Sequence, residues 1–458
     1  MTIKVLDCTL RDGGYYTSWN FDLELVNKYL RGIKNSNIDV IELGFRFLNE
    51  NKQLGPLAYT SDKFLETLDL PKGIEYAVMI NASEYISKED PITSINKNFS
   101  DSSKSKISIV RIATNFDDYS ESKILARAIK EKGYTVCLNL MQVHSKTSKQ
   151  YKDAAEVISK WDAVDILYLA DSLGVLEPGD INKVFRHIKP FWKEKMGIHT
   201  HNNRGYALTN SIKAVEEGVS WLDSTVYGMG RGAGNTPTED LLLELKKLNI
   251  HESNPNALIP SYKDFEKLNK KYKWGANIYY HFASQKHIHP TYIQTLLSDP
   301  RYDDVQISEA VSSLADNQSS LFSSELLEET FFDIQRNSFK GSWDPSNWLK
   351  DEEVLLVAAG DSVKDQKKQI IEFIEKHRLK VFLLNFNRVI PQEIIEATIV
   401  CNDSKALLDS TSYSKLSKPL ITPFKSLKNL LPKSKKIKLH NYGLILEKDS
   451  FEFKKNYE

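Results

Sequence analysis

Over the first 250 residues the apolar positions alternate between two periods. Short runs rich in Val, Ile and Leu at 3–10, 40–43, 75–80, 108–112, 135–140, 166–169, 195–199 and 221–223 read as buried strands. Between them, stretches such as 23–34, 123–132, 152–159, 181–189 and 207–217 repeat apolar residues every three or four positions, as amphipathic helices do. Eight such units in about 245 residues match a (β/α)8 barrel, here 1–250, with a doubly wound open sheet as the competing architecture. From 251 to 349 the pattern turns helical, with interleaved aromatics from Tyr262 to Phe282, and predicts a helical extension over or beside the barrel mouth. Strands expected at 354–359 and 380–385, a helix at 366–377 and an apolar run at 397–400 make 350–458 a small three-layer α/β domain.

A barrel places its active site at the C-terminal ends of its strands, and the conspicuous polar residues fall there. Arg11 and Asp12 follow the first strand, Glu42 and Arg46 the second, and Asn81 the third. Arg111 and Thr114 belong to the fourth, Asn139 and Gln142 to the fifth, and Asp171 and Ser172 to the sixth. His199 and His201 end the seventh, and the eighth leads into Tyr227-Gly228-Met229-Gly230-Arg231-Gly232-Ala233-Gly234-Asn235. Glu42, Arg111 and Ser172 are the candidate substrate contacts.

On an extended strand, residues two apart share a face, so His199 and His201 aim two imidazoles at one point. A carboxylate completes the facial set that holds a divalent metal with open positions, and Asp12 is the best placed. The bland reading, two packed strand residues, loses ground to the neighbouring Asn202-Asn203 and to Asp12 at another strand end. Oxygen and imidazole donors without thiolate suit Mn²⁺, Mg²⁺, Co²⁺ or Zn²⁺, and the donor set does not choose among them. Arg11 either pairs with Asp12 or Asp7 or presents its guanidinium to a developing enolate. The glycine loop 228–234 is either a mobile link or a backbone that closes over the site and brings Asn235 to the metal; it lacks a P-loop lysine. Ser172 offers its hydroxyl or N–H to a carboxylate, or caps a turn. Asp7 reads as a group behind the ligands and Cys8 as core. At Ala358-Ala359-Gly360-Asp361-Ser362 a structural or partner-binding role is favoured over an anion site.

Composition narrows the classes. Sixty-one basic residues balance 61 acidic ones among 458, so no long-range field favours nucleic acid or an acidic membrane. Cys8, Cys137 and Cys401 lie far apart in positions that read as strand interiors, which suggests reduced, buried thiols. The first strand begins at residue 3, leaving no room for a signal peptide, and no apolar run approaches the roughly 20 residues that span a bilayer. A cytoplasmic protein is expected.

Together, these segments resemble the metal-dependent barrel lyases and synthases, a family that includes hydroxymethylglutaryl-CoA lyase, isopropylmalate synthase and 4-hydroxy-2-oxovalerate aldolase. The matching segments are Leu6-Asp7-Cys8-Thr9-Leu10-Arg11-Asp12-Gly13-Gly14, Ile41-Glu42-Leu43-Gly44-Phe45, Ala170-Asp171-Ser172-Leu173-Gly174, His199-Thr200-His201-Asn202-Asn203 and, most specifically, 223–239. The resemblance implies a divalent metal on Asp12, His199 and His201, with Asn235 as an added ligand in some members. It implies that Arg11 stabilises an enolate and that Ser172 meets a pyruvyl carboxylate. The segment 218–239 and the Asp171-Ser172 pair look most like the hydroxy-oxovalerate aldolase branch. That branch carries a tyrosine near the site, a place for Tyr279 or Tyr280, and binds a dehydrogenase partner through its C-terminal region. It also carries a basic histidine where this chain has Tyr15, and an unperturbed tyrosine, with a pKa near ~10, is a poor base at neutral pH. Either the metal depresses Tyr15, or His144 or His287 takes the proton, or the reaction differs.

The expected reaction is aldol or retro-aldol chemistry on a 4-hydroxy-2-oxo acid through a pyruvate enolate, with Arg11, Tyr15 and Tyr279 as catalytic residues. Claisen condensation of an acyl-CoA with a 2-oxo acid is the alternative enzyme, and a non-catalytic barrel that recruits partners is the alternative class. Homo-oligomerisation or a partner enzyme would engage 251–458.

Overall fold

The computed structural model describes residues 2–48, 51, 53–87, 90–299, 302, 304–317, 319–337, 343–386, 389–400, 416–422 and 437–442. The chain divides into two compact units, Met1–Gln294 and Thr295–Glu458.

In the first unit, eight parallel strands close into a barrel in sequence order. They are β1 (Lys4–Asp7), β2 (Val40–Phe45), β3 (Glu75–Asn81), β4 (Ile109–Asn115), β5 (Thr135–Met141), β6 (Ile166–Asp171), β7 (Lys195–Thr200) and β8 (Trp221–Ser224). Closure comes from β1 pairing with β8, Lys4 opposite Trp221 and Asp7 opposite Ser224. The doubly wound alternative is thereby excluded. Outside, each helix buries one stripe: Leu23–Asn35 turns Val26, Tyr29, Leu30 and Ile33 inward, and the Asp22 side chain caps it by accepting from the Leu25 N–H at 3.0 Å.

Three strand ends that matter to the site differ from expectation. The strand expected at 3–10 stops at Asp7, whose carboxylate accepts the Thr9 N–H at 2.9 Å and the Thr9 hydroxyl at 2.6 Å. This local capture bends the backbone into a short helical turn, Thr9–Asp12, instead of letting it extend. At the other two positions, β2 and β4 continue to Phe45 and Asn115, past the predicted ends at 43 and 112.

Side chains pointing into the barrel form three levels. The floor is apolar: Leu6, Val40, Ile109, Cys137, Ile166 and Trp221 pack together with Tyr168. Glu42, Arg111 and Asp223 lie above it, all buried. The upper level, with Ala113, Met141 and Ala170, opens as a pocket. The stretch after the barrel belongs to the same unit: Phe265 of helix Ile259–Tyr272 meets Tyr29, and Trp274 donates to the Tyr227 carbonyl at 2.9 Å.

The second unit holds an all-parallel five-stranded sheet in the order β13-β12-β11-β10-β9, from β9 (Val354–Val357), β10 (Lys380–Leu384), β11 (Ile395–Ile399), β12 (Leu420–Ile421) and β13 (Leu439–His440). Ile370 and Ile374 of helix Lys367–His377 cover one face, and Trp348 and Leu349 the other, giving three layers. Cys8 and Cys137 are free and buried, while Cys401 lies outside the described residues. Among the described residues, no helix is long and apolar enough to cross a membrane.

Gly197 shows how tightly the interior is filled. A Cβ added there would lie 2.4 Å from the Tyr168 ring, and that ring is held 4.4 Å beneath the Arg111 guanidinium. Gly197→Ala is expected to lose about 1–3 kcal/mol to overpacking, read as a lowered Tm in thermal unfolding. An unchanged Tm would show that Tyr168 is free to move.

Candidate active site

The turn that replaces the end of the first strand carries Arg11 and Asp12. Asp7 anchors it without touching the ligands: besides Thr9, it accepts from Tyr29 and from the Thr238 hydroxyl at 2.6 Å. Asp7 therefore staples the turn, and the second-layer role expected of it falls instead to Asp223. Asp12 meets His199 on β7 and His201 just beyond it, and one ligand atom from each lies within 4.8 Å of the others. Asn235 joins them through the bridge that pairs its backbone with His201, placing its Nδ2 3.0 Å from His199 Nε2. A Cβ on Gly230 would fall 1.6 Å from Asn235 Oδ1, so the loop passes this point only as glycine.

Asp12 Oδ2, His201 Nδ1 and Asn235 Oδ1 are buried without a hydrogen-bond partner. Leaving such atoms unpaired is costly, and a divalent cation would satisfy oxygen and imidazole donors of this kind. The residues present fit the ion. Burial keeps His201 well below its ordinary pKa, with Arg231 adding to the effect, so its ring is neutral and can bind. Burial opposes ionisation of Asp12, yet Arg11 and the two histidines hold its carboxyl well below the usual range. A second cluster, Cys8 with His199 and Asp223, is a poorer candidate. Burial pushes the Cys8 thiol well up, and thiolate is the ligating form.

A closed ring of buried charges supports the ligands. Arg11 Nε meets Glu42 at 2.7 Å, Glu42 meets Arg111 at 3.0 Å, and Arg111 meets Asp223 at 2.5 Å. Asp223 then accepts His199 Nδ1 at 2.9 Å, His199 Nε2 faces Asp12 at 3.3 Å, and Asp12 returns to Arg11 at 3.3 Å. Burial would lower the His199 pKa, but Asp12 and Asp223, one facing each ring nitrogen, raise it.

Glu42 and Arg111, expected against substrate, sit in this ring beneath the pocket and do not line it. The reason is register: because β2 and β4 run further than predicted, both residues are mid-strand. The pocket itself, about 50 Å³, is walled by Arg11, Asp12, Tyr15, Ser172, His199 and His201, with Asn139 and Arg231. Tyr279 does not line it; Tyr280, its neighbour, is the one against the glycine loop, 3.1 Å from a Cβ placed on Gly232. His144 and His287 line a different, outer cavity. Enclosure raises the Tyr15 pKa, so its hydroxyl is a hydrogen-bond donor toward the pocket. Sequence reasoning passed over Arg231, which donates to the Ser172 carbonyl at 2.9 Å and lies 5.7 Å over the Tyr15 ring. Its signal was the one cation inside a glycine-rich loop. His289, 3.3 Å from Arg231, carried no such signal.

Residues 92–265 match the family model described as HMGL-like. The match takes in β4 to β8 and the first half of the helix Ile259–Tyr272. A 4-hydroxy-2-oxovalerate aldolase from Pelotomaculum thermopropionicum is 28% identical over 247 residues, covering 54% of this chain and 70% of that protein. Among solved structures, the N-terminal domain of a Bacteroides vulgatus protein named as an aldolase has 28% identity and a TM-score of 0.57, covering 65% of this chain and 97% of that one. The carboxyl transferase domain of Rhizobium etli pyruvate carboxylase shares the fold at 13% identity and a TM-score of 0.59, covering 73% of this chain and 60% of that one. The chain is an enzyme, a metal-dependent carbon–carbon lyase.

Two measurements probe this arrangement. Asp223→Asn leaves every ligand in place but weakens the carboxylate behind His199, and is expected to lower Mn²⁺ affinity roughly 10–100-fold in a direct titration. Unchanged affinity would detach Asp223 from the metal site. Glu239, which holds the loop by accepting the Tyr227 N–H at 3.0 Å, has its pKa pushed by burial from 4.5 to about 7. A raised carboxyl pKa contributes stability below pH 4.5 that is lost as pH rises through about 7. Glu239→Gln keeps an acceptor for Tyr227 and is expected to gain on the order of 2–3 kcal/mol at pH 8 relative to pH 4.5, read by denaturant unfolding. A pH-independent difference would refute the assignment.

Proposed function

We propose that the HMGL-like barrel makes or cleaves the C3–C4 bond of a 4-hydroxy-2-oxo acid through a pyruvate enolate, with Mn²⁺ as the expected ion. The observation that carries this reading is Arg11. Its guanidinium is locked by Glu42 and Asp12 and still lines the pocket beside the His199–His201 pair. A fixed cation at that point stabilises oxyanion charge as it develops, at no reorganisation cost during reaction. Asp12, His199 and His201, joined by Asn235, would hold the metal. The metal supplies Lewis-acid polarisation of a 2-oxo group.

The chain's own residues supply the rest. Ser172, on the turn after β6, offers its hydroxyl to the pyruvyl carboxylate. Arg231 reinforces that wall by holding the Ser172 carbonyl. Tyr15, protonated because of its enclosure, donates its hydroxyl proton toward the aldehyde oxygen as that oxygen becomes a hydroxyl. A cytoplasmic location belongs to the same reading, supported by two buried free thiols.

The test is solvent-deuterium exchange into the methyl group of pyruvate, followed by proton NMR with Mn²⁺ present. Exchange is expected for the natural chain. For Arg11→Lys, which keeps the charge but loses the planar fork, it is expected to fall by about 10²–10³. Absence of exchange in the metal-loaded protein would overturn the reading.

A further inference from the structure

Beyond the metal pocket lies a second cavity of about 570 Å³, more than ten times the roughly 50 Å³ of the inner one. Three consecutive strand-end loops connect them with the same spacing. Met141, Ser172 and His201 line the inner pocket, and His144, Val175 and Arg204, each three positions later, line the outer one. Gln142 N–H reaches toward Ser172 Oγ at 3.3 Å, tying the first two loops together. The segment after the barrel completes this wall: His287 lines the outer cavity, and His289 contacts Arg231 of the inner one. The outer cavity therefore borders the loops after β5, β6 and β7, and reaches Tyr151, Lys183 and His187 on the helices that follow β5 and β6.

Its chemistry is polar but charge-balanced. Every lysine and arginine on its wall is already paired: Lys146 with Asp117 at 2.6 Å, Lys183 with Asp180 at 3.1 Å and Arg204 with Glu177 at 2.8 Å. Arg204 Nε and His144 Nδ1 are buried with no partner. Burial, with His287 at a ring distance of 5.0 Å, lowers the His144 pKa to about 4, so at neutral pH its ring is uncharged. Paired carboxylates, spare N–H groups and the uncharged His144 ring alternate donors with acceptors. A phosphate would need unpaired cations, and an alkyl chain would strand these polar groups. A chain of hydroxyl groups matches them.

We propose that the outer cavity is the acceptor subsite for a polyhydroxylated aldehyde, whose carbonyl enters the metal pocket while its hydroxylated tail lies against Arg204, His144 and His287. This rests on the aldol reading above. In the synthetic direction, C3 of the pyruvate enolate bonds to the aldehyde carbon. The carbonyl π electrons move to oxygen, which takes one proton, and the product holds every atom of both reactants without an oxidant or reductant.

The full chain with Mn²⁺ and pyruvate is assayed with D-erythrose, D-erythrose 4-phosphate and butanal, an apolar aldehyde of equal chain length. D-Erythrose is expected to be consumed with a kcat/KM at least about tenfold above butanal. Arg204→Gln and His287→Asn, the latter tolerant of the left-handed backbone at 287 (φ 57°), are each expected to cut that preference about tenfold. Butanal equal to or better than D-erythrose, or a preference unmoved by both variants, overturns the subsite. So does turnover of the phosphorylated sugar alone. Methyl exchange without D-erythrose turnover sinks the subsite and leaves the aldol reading standing. If exchange itself is absent, saturation-transfer NMR of D-erythrose on the same protein decides. Binding that His287→Asn abolishes supports the subsite, and no binding overturns it.

Discussion

Everything at the mouth of this barrel depends on one constraint: a buried arginine needs its charge met on every side. Arg111 is fully buried and satisfies the constraint with Glu42 below one end of its guanidinium and Asp223 at the other. Glu42 is thereby placed to lock Arg11, and Asp223 to orient His199. The ring counts two guanidiniums against three carboxylates, so with neutral imidazoles it carries one net negative charge. Burying such a set is expensive unless it is completed, and completion by a cation or by a proton on His199 is what the unpaired atoms call for. Removing any one member would leave a partner desolvated and unpaired.

The levels of the interior divide the work. Apolar side chains at the bottom give the strands their cohesion, the ionic level aims the working residues, and the mouth is left for chemistry. Strand pleating alone assigns residues to these levels, since every second side chain points inward and each step of two climbs one level. A displacement of one residue would exchange an inward-facing ligand for an outward-facing core residue, which is why the site demands an unambiguous register.

That same arithmetic explains what could be read from the sequence. The barrel, the His199–His201 pair and the glycine loop were legible because period and punctuation are local signals. Asp12 was legible as a ligand candidate, though for a position on a strand end that the structure replaces with a turn. Glu42 and Arg111 were misassigned to substrate because apolar runs mark where a strand is buried and not where it stops. Two or three further residues of β2 and β4 drop both side chains one level down. Tyr280 was legible only as the alternative to Tyr279, and His289 not at all, since no periodicity in 251–294 states which residue meets a loop some 50 residues earlier. Arg231 stood out in composition but needed the fold to show that it braces Ser172.

The pairing of β1 with β8 has a consequence for how the molecule comes into being. Lys4 lies opposite Trp221, so the last ladder of the barrel joins segments more than 200 residues apart. Asp12 sits just past β1, while His199, His201 and Asn235 flank β7 and β8. Closing the barrel therefore also gathers these candidate ligands, across a loop whose closure entropy is large. A ribosome-bound chain that has not yet released β8 has neither a closed barrel nor a complete ligand set. Only a whole barrel brings these candidate ligands together.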